Sequence, residues 1–454
     1  MTAPPTPPDL DAQAPRPTAR QGDSAGTDGG PDGLVADGLA VDELVADGLV
    51  VDVLVVGGGL VGGPLAAALS QGGLSVAVID AADPAAVLAA EFDGRASAIA
   101  LASQRVLAAT GLWDAIAPEA GPILDIRVTD GSLWRGTSLL FLHYGHEATG
   151  DQPFGYMVEN RTLRAAIQRV VPDLPGVHYL APARLAGLSR DARAVTARLA
   201  DGRRVTARLV VGADGRRSQV RAEAGIRLTQ WSYRQAGIVC TVAHEEPHGG
   251  IAHEHFLPSG PFAILPLPGN RSSIVWTERE ALAPALMALD DDAFLFELKR
   301  RFGDFLGGIS VVGPRFSYPL SLQFARTYVD QRLVLTGDAA HGMHPIAGQG
   351  LNMGLRDVAA LAEILTDAKR LGLDPGGAHV LADYERWRRF DNTLMLALTD
   401  GLNRLFSNDL GPLRLVRDVG MAAVDRMPGL KKVFMRHAMG LVGDLPRLMR
   451  GESL

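Results

Sequence analysis

The run VDVLVVGGGLVGGPLAAALSQGGLSVAVID, residues 51–80, decides the fold. VDVLVV has the apolar, β-branched composition of a buried strand. Gly57-Gly58-Gly59-Leu60-Val61-Gly62 follows as a tight turn, Gly63 to Gln71 reads as a helix, and LSVAVID is a second strand ending at Asp80. Strand, G-x-G-x-x-G turn, helix and strand make a βαβ unit. Gly57, Gly59 and Gly62 permit the turn, the approach of backbone to a pyrophosphate, and close packing of helix on strand. Asp80 stands 18 residues past Gly62, where an acid bonds a ribose hydroxyl. The pattern specifies a dinucleotide without choosing between NAD and FAD.

A second stretch belongs to the same sheet. In LVLTGDAAHGMHPIAGQGLNMGLRD, residues 333–357, Leu333 to Leu335 form a short buried strand and Gly337-Asp338 places a carboxylate just past its carboxyl end. Ligands of open α/β sheets sit there. Gly348-Gln349-Gly350 leaves no Cβ in the way of something flat or charged. A helix is expected from Leu351, and its first N–H groups carry partial positive charge, so the loop feeds an anion site.

Composition narrows the class. The chain has 454 residues, 47% hydrophobic and 21% charged, which suits a soluble globular protein of two or three domains. The net charge of −7 resides in the first 50 residues, where nine acids face only Arg16 and Arg20. The rest is balanced, with a basic end, so no nucleic-acid footprint is present. Cys240 is the single cysteine. It excludes an internal disulfide, argues against a cysteine-based metal site and suits a reducing compartment, and within GIVCTV it reads as a small core residue. No metal site is expected. No apolar run reaches the length of a membrane span, and the acidic, Pro-rich N-terminus is neither a signal nor a transit peptide.

Residues 1–48 read as a disordered acidic extension in which LVADGL occurs twice. After Arg95, which suits either a surface or a pyrophosphate, the segment to Gly111 reads as a helix. DIRVTD and LLFLHY read as strands, and FGYMVENRTLRAAIQRVV as a strand, an Asn160 cap and a helix. Two strands then lead to Asp214-Gly215. AGIVCTVAH, IAHEHFLPSG, GPFAILPLPG and RSSIVWTER form an antiparallel sheet inserted into the first domain. Residues 383–454 are mostly helical. There Leu430, Val433, Phe434 and Leu441 share a face, with Lys431, Lys432 and Arg436 off it, which suits either packing on the body or a basic anchor at a membrane.

GGGLVG at 57–62, GADG at 212–215 and GD at 337–338, in that order, resemble the group A flavoprotein monooxygenases of the para-hydroxybenzoate hydroxylase fold. His344 to Asp357, with VENRTL, GPFAILPLPG, SIVWT and LPRLMRG, is similar to the ubiquinone-biosynthesis hydroxylases. The resemblance covers about residues 50–454 and departs at Asp80, where Glu is common. It implies an α/β architecture: a Rossmann-like FAD-binding domain (49–125, 155–230 and 315–382), an inserted antiparallel substrate domain (126–154 and 231–314), and C-terminal helices (383–454). It implies FAD as cofactor, with Gly57, Gly59, Leu60, Val61 and Gly62 at the pyrophosphate and Asp80 at the adenosine ribose. Arg95 and Arg161 would flank the pyrophosphate or flavin, and Asp214 and Gly215 form the second fingerprint. Asp338 would serve the ribityl chain or the pyrophosphate region, Gly350, Leu351 and Asn352 the pyrimidine edge of the flavin, and Gly337 and Gly348 would be further cofactor contacts.

The implied activity is hydroxylation of the ring of a polyprenylated phenol, with O2 as co-substrate, NAD(P)H or another donor as reductant, and a flavin C4a-hydroperoxide as the oxidant. Phe256, Phe262, Leu265 and Leu267 suit a wall that keeps water out, with ordinary core packing the expected role for most of them. No acid or base is assigned. His341 and His344 read as structural, with a proton relay as the minority reading. The expected location is cytoplasmic or peripheral on the inner membrane face, with other ubiquinone-synthesis proteins as candidate partners. Two other readings are a soluble phenol or polyketide hydroxylase on the same fold, and a flavin-bound scaffold without turnover.

Overall fold

The computed structural model describes residues 48–132, 136–145, 150, 152–342, 349–406 and 427–454. Leu44–Leu454 is one compact unit. The acidic extension up to residue 47, His344, Gly348 and the basic stretch 411–426 lie outside the described residues.

The first sheet runs Val329–Asp330, Leu333–Leu335, Arg204–Gly212, Leu49–Val56, Val76–Ile79, Val177–Leu180. Val53 to Val56 pair in parallel with Leu209 to Gly212 on one side and with Val76 to Ile79 on the other. Because helices cover this sheet, its central strands are apolar on both faces: Val53, Leu54 and Val55 are fully buried. Helix Gly62–Gln71 packs against helix Gln349–Arg370. The βαβ unit and the Leu333–Leu335 strand stand as the sequence indicates. The long helix starts at Gln349 rather than Leu351.

The second sheet is ordered His341–Gly342, Ile309–Ala325, Leu228–His244, Arg271–Arg279, Gly260–Leu267, Ile251–Leu257, Asp125–Ser132, Gly136–Gly145. Among the described residues its one parallel pair joins Ile251–Leu257 to Asp125–Ser132. One face packs on helix Asp291–Phe302, where Phe294, Leu298 and Phe302 meet Ile238, Cys240, Phe262, Ile264 and Trp276. Cys240 is therefore a core residue, and burial pushes its thiol up to about 12. Ile309–Ala325 is a single strand of this sheet, so a boundary at 314/315 would cut through it.

Two local expectations fail. Ala96–Ala100 is a strand in a three-stranded sheet with Gly155–Glu159 and Gly121–Ile123, and only Leu101–Ala109 is helical. Pairing to Gly155–Glu159 overrides the helical pattern there. Glu159, not Asn160, occupies the cap position of the following helix; the Asn160 side chain instead accepts a hydrogen bond from Ser97 Oγ at 2.7 Å.

Candidate functional site

A cavity of about 1810 Å³ is lined by residues of both sheets. Its first sector is built by the glycine turn. Gly57 has φ +100°, and a Cβ there would come within 2.5 Å of the Ala213 carbonyl, so the first strand's turn closes on the 212–215 turn only with glycine. Gly62 is a packing glycine whose Cβ would strike the Gly57 carbonyl. At Gly59 nothing lies within 4 Å, and the open side is the cavity. Leu60 and Val61 line it as well. Asp80 lines it while accepting hydrogen bonds from Gly58 N at 2.7 Å and Ala82 N at 2.8 Å, so one carboxylate fixes the turn and borders the site.

Across from this turn, Asp214 and Gly215 line the wall. Asp214 Oδ2 caps helix Gln219–Glu223 by accepting from Gln219 N (2.7 Å) and Val220 N (3.2 Å). Its Oδ1 is buried without a partner among the described residues. A buried carboxylate oxygen left unbonded is costly, and a ligand hydroxyl would satisfy it. Arg216, which sequence reasoning passed over, also lines the cavity and donates to Ser321 O and Oγ, both at 2.9 Å. The strand pattern ended at Gly215 and gave no signal for it.

Deeper in, Asp338 faces the cavity beside the start of helix Gln349–Arg370, where Gln349, Gly350, Leu351 and Asn352 form the wall. Burial pushes the Asp338 carboxyl up, while Arg216 and His341 pull it down. Gly350 opens onto empty space. Asn352 is committed on its side-chain end: Oδ1 accepts from Ala100 N at 2.8 Å and Nδ2 donates to Ala98 O at 2.9 Å. It ties the helix to the Ala96–Ala100 strand. Gly337 lies behind the wall, with φ +55° and its N–H on Asp357 Oδ2 at 3.0 Å.

Arg95 reaches the cavity and pairs with Asp93, its guanidinium 5.7 Å from the centre of the Phe316 ring. Arg161 does not reach it. Its Nε donates to Glu159 Oε2 at 2.6 Å and its guanidinium stacks near Phe92, so the Glu159 carboxylate turns it away. His341 is structural: its Nε2 lies 2.6 Å from Asp357 Oδ2, in a buried cluster with Arg388 and Asn392.

The far sector is the free face of the second sheet. Phe256 and Leu265 line it; Phe262 and Leu267 do not. Side chains alternate along a strand, so Phe262 points to the helix side. Leu267 is sealed in a separate core with Met435 and Met439. Glu254, Thr277 and Tyr318 also stand on this wall and were not foreseen, because a polar residue within an apolar strand pattern reads as solvent-facing. At the rim, Leu398 of helix Ala378–Phe406 and Val433 and Phe434 of helix Pro428–Ala438 line the cavity and are exposed.

The donor set fits FAD. A glycine cradle with open space, a carboxylate at the second strand's end, an unpartnered Asp214 oxygen and a helix N-terminus stand along one cavity.

Residues 50–390 match the family described as FAD binding domain. The chain is 62% identical over 393 residues to the ubiquinone hydroxylase UbiL of Rhodospirillum rubrum, covering 86% of this chain and 90% of that one. It is 36% identical over 380 residues to 3-demethoxyubiquinol 3-hydroxylase of Escherichia coli, covering 83% and 95%. Among solved structures, p-nitrophenol 4-monooxygenase PnpA from Pseudomonas putida DLL-E4 superposes with a TM-score of 0.71 at 20% identity, over 87% of this chain and 99% of that one.

Proposed function

The chain belongs to the FAD binding domain family, and on that premise we propose that it hydroxylates the ring of a polyprenylated phenol in ubiquinone biosynthesis. The single observation that carries this reading is one continuous cavity. It runs from a dinucleotide cradle to an apolar chamber and ends at an apolar rim.

FAD, reduced by NAD(P)H or another donor, supplies the electrons that activate O2 and deliver one oxygen atom to the ring. The protein's residues bind, orient and dry the site. Gly57, Gly59, Leu60 and Val61 receive the pyrophosphate, and Asp80 the adenosine ribose. Asp214 and Asp338 accept hydrogen bonds from ribityl hydroxyls. Gly350, Leu351 and Asn352 present backbone N–H groups to the pyrimidine edge, where the helix N-terminus stabilises negative charge. Arg95 flanks the pyrophosphate. Val128, Ala263, Leu265, Val275 and Phe256 exclude water from the ring.

The prenyl tail leaves between helices Ala378–Phe406 and Pro428–Ala438. Phe390, Leu394, Leu398, Val433 and Phe434 are exposed on these two helices. An apolar rim around a substrate entrance suits a bilayer surface, from which a long-tailed phenol is drawn. Among the described residues no helix is long and apolar enough to cross a membrane.

Purified protein loaded with FAD, given NAD(P)H, O2 and a prenylated phenol, is expected to yield the phenol carrying one added oxygen by mass spectrometry. Oxygen uptake that does not respond to any prenylated phenol would sink the reading.

A further inference from the structure

The wall of the chamber has a regular composition. Val128, Glu254, Ala263, Val275 and Val239 form one cross-strand row over five adjacent strands of the second sheet. All five line the cavity. Four are small and apolar; the second is a carboxyl. Placing a carboxyl there costs free energy, and in an ordinary core the position would be apolar. Buried ionisable groups without a packing role concentrate where chemistry is done. One row over, Thr277 has a buried hydroxyl without a hydrogen-bond partner among the described residues, and Tyr318 stands across Gly237 from it.

The groups around Glu254 do not explain its presence. On its own strand His255 contacts Thr129 Oγ1, and His253 stacks on Phe305. Arg127 and Asp130 on the neighbouring strand, Tyr318 on the same wall, and Asp80, Arg95, Tyr144, Arg184, Asp214, Arg216, Asp338 and His437 elsewhere on the cavity complete the charged and titratable set among the described residues. None of these moves its equilibrium: burial alone pushes the Glu254 carboxyl up to about 7.

We infer that Glu254 is the proton acceptor for the ring hydroxyl of the phenol substrate, an inference that rests on the hydroxylase reading above. The ionised carboxylate accepts a hydrogen bond from the phenol O–H. As a ring carbon bonds to the incoming oxygen, the O–H bond breaks. Its electron pair enters the ring as a carbonyl, and its proton passes to Glu254. When that ring carbon loses its own hydrogen as a proton, the ring re-aromatises and the carbonyl oxygen takes the proton back from Glu254. The proton lost from carbon neutralises the oxygen left on the oxidant, so the carboxylate is regenerated.

The test uses the full-length, FAD-loaded protein with two probes, 2-(3-methylbut-2-enyl)phenol and its methyl ether. Binding is followed by perturbation of flavin absorbance from about pH 5.5 to 8.5, bracketing the raised carboxyl. A hydroxyl donates to the carboxylate, whereas an ether can only accept from the protonated acid. The phenol is therefore expected to bind about fivefold or more tighter at the high end, and the ether tighter at the low end. In Glu254→Gln both trends become flat. Wild-type hydroxylation rises with pH through about 7. In Glu254→Gln it falls roughly 100-fold, the lower bound of what general acid–base catalysis contributes, and Glu254→Asp restores part of it. Bound flavin and melting temperature report that the variants are folded. Hydroxylation and pH trends in Glu254→Gln like those of wild type overturn the inference alone. A wild type that binds both probes and oxidises neither overturns the hydroxylase reading and the inference with it.

Discussion

Two carboxylates on one cavity do opposite work, and burial separates them from surface acids. Asp338 borders the cofactor sector with Arg216 and His341 acting on it. Asp338→Ala is expected to weaken FAD binding by about 1–3 kcal/mol, the loss of a buried hydrogen bond, measured by fluorescence titration of the apoprotein; unchanged affinity would remove its role. Glu254 stands in an apolar row, and burial moves its carboxyl from 4.5 to about 7. The folded value is raised, so the protonated form favours the fold. That advantage is complete below the unfolded value and is lost as pH rises through about 7. Glu254→Gln should therefore melt higher than wild type at pH 8, by at most about 3 kcal/mol of stability, and the gain should vanish near pH 4. The first of these residues was legible, since Gly-Asp after a short apolar strand marks the ligand edge of an α/β sheet. The second was not. Seeing it requires knowing that strand Ile251–Leu257 has its polar-looking face turned to an interior chamber rather than to water.

At the scale of elements, the cofactor wall is held from behind by Asp357. Its Oδ2 accepts from Gly337 N and meets His341, and its Oδ1 accepts from Arg388 Nε at 2.8 Å and Asn392 Nδ2 at 3.2 Å. One carboxylate thus joins the turn after strand Leu333–Leu335 to helices Gln349–Arg370 and Ala378–Phe406. Burial opposes its ionisation, but His341 and Arg388 outweigh burial and hold the carboxyl well below the usual carboxylate range. Its contribution is complete above its unfolded value and disappears only as pH falls through the lower folded one. Asp357→Asn removes the fully buried anion beside the Arg388 cation and leaves only the part-exposed Asp391, 2.9 Å away, so a loss approaching about 3 kcal/mol is expected in denaturant melts. FAD affinity should fall with it because Gly337 is released; a variant as stable as wild type would show the cluster to be dispensable. Around helix Pro428–Ala438 the apolar stripe is divided, with Leu441 just beyond it packed on the core. Met435 and Met439 face the core, while Val433 and Phe434 are exposed. Counting apolar residues cannot tell a face that packs from one that waits for a partner. Val433→Asp with Phe434→Asp should abolish flotation with liposomes while leaving bound flavin unchanged; undiminished flotation would defeat the membrane contact. Deleting the tail is a poorer test, since Leu448 and Met449 belong to the main core.

For the whole molecule, the nucleotide half was readable because its signals are local: glycines at fixed offsets, strands that are apolar throughout, an acid at a strand end. The chamber was readable only as an antiparallel region. Which side of each strand faces it follows from pairing between segments more than a hundred residues apart, such as Val128 with Glu254. The same long-range pairing has a bearing on how the protein is made. Strand Leu49–Val56, near the front of the chain, pairs with Arg204–Gly212, which in turn pairs with Leu333–Leu335. The N–H of Ala102 donates to the carbonyl of Met439, and helix Leu101–Ala109 packs on helix Arg447–Arg450. A ribosome that has released only the first half of this polypeptide has therefore released no finished half. The glycine cradle emerges early, but its supports follow hundreds of residues later, so the nascent chain must keep its apolar strands from aggregating until those segments have emerged.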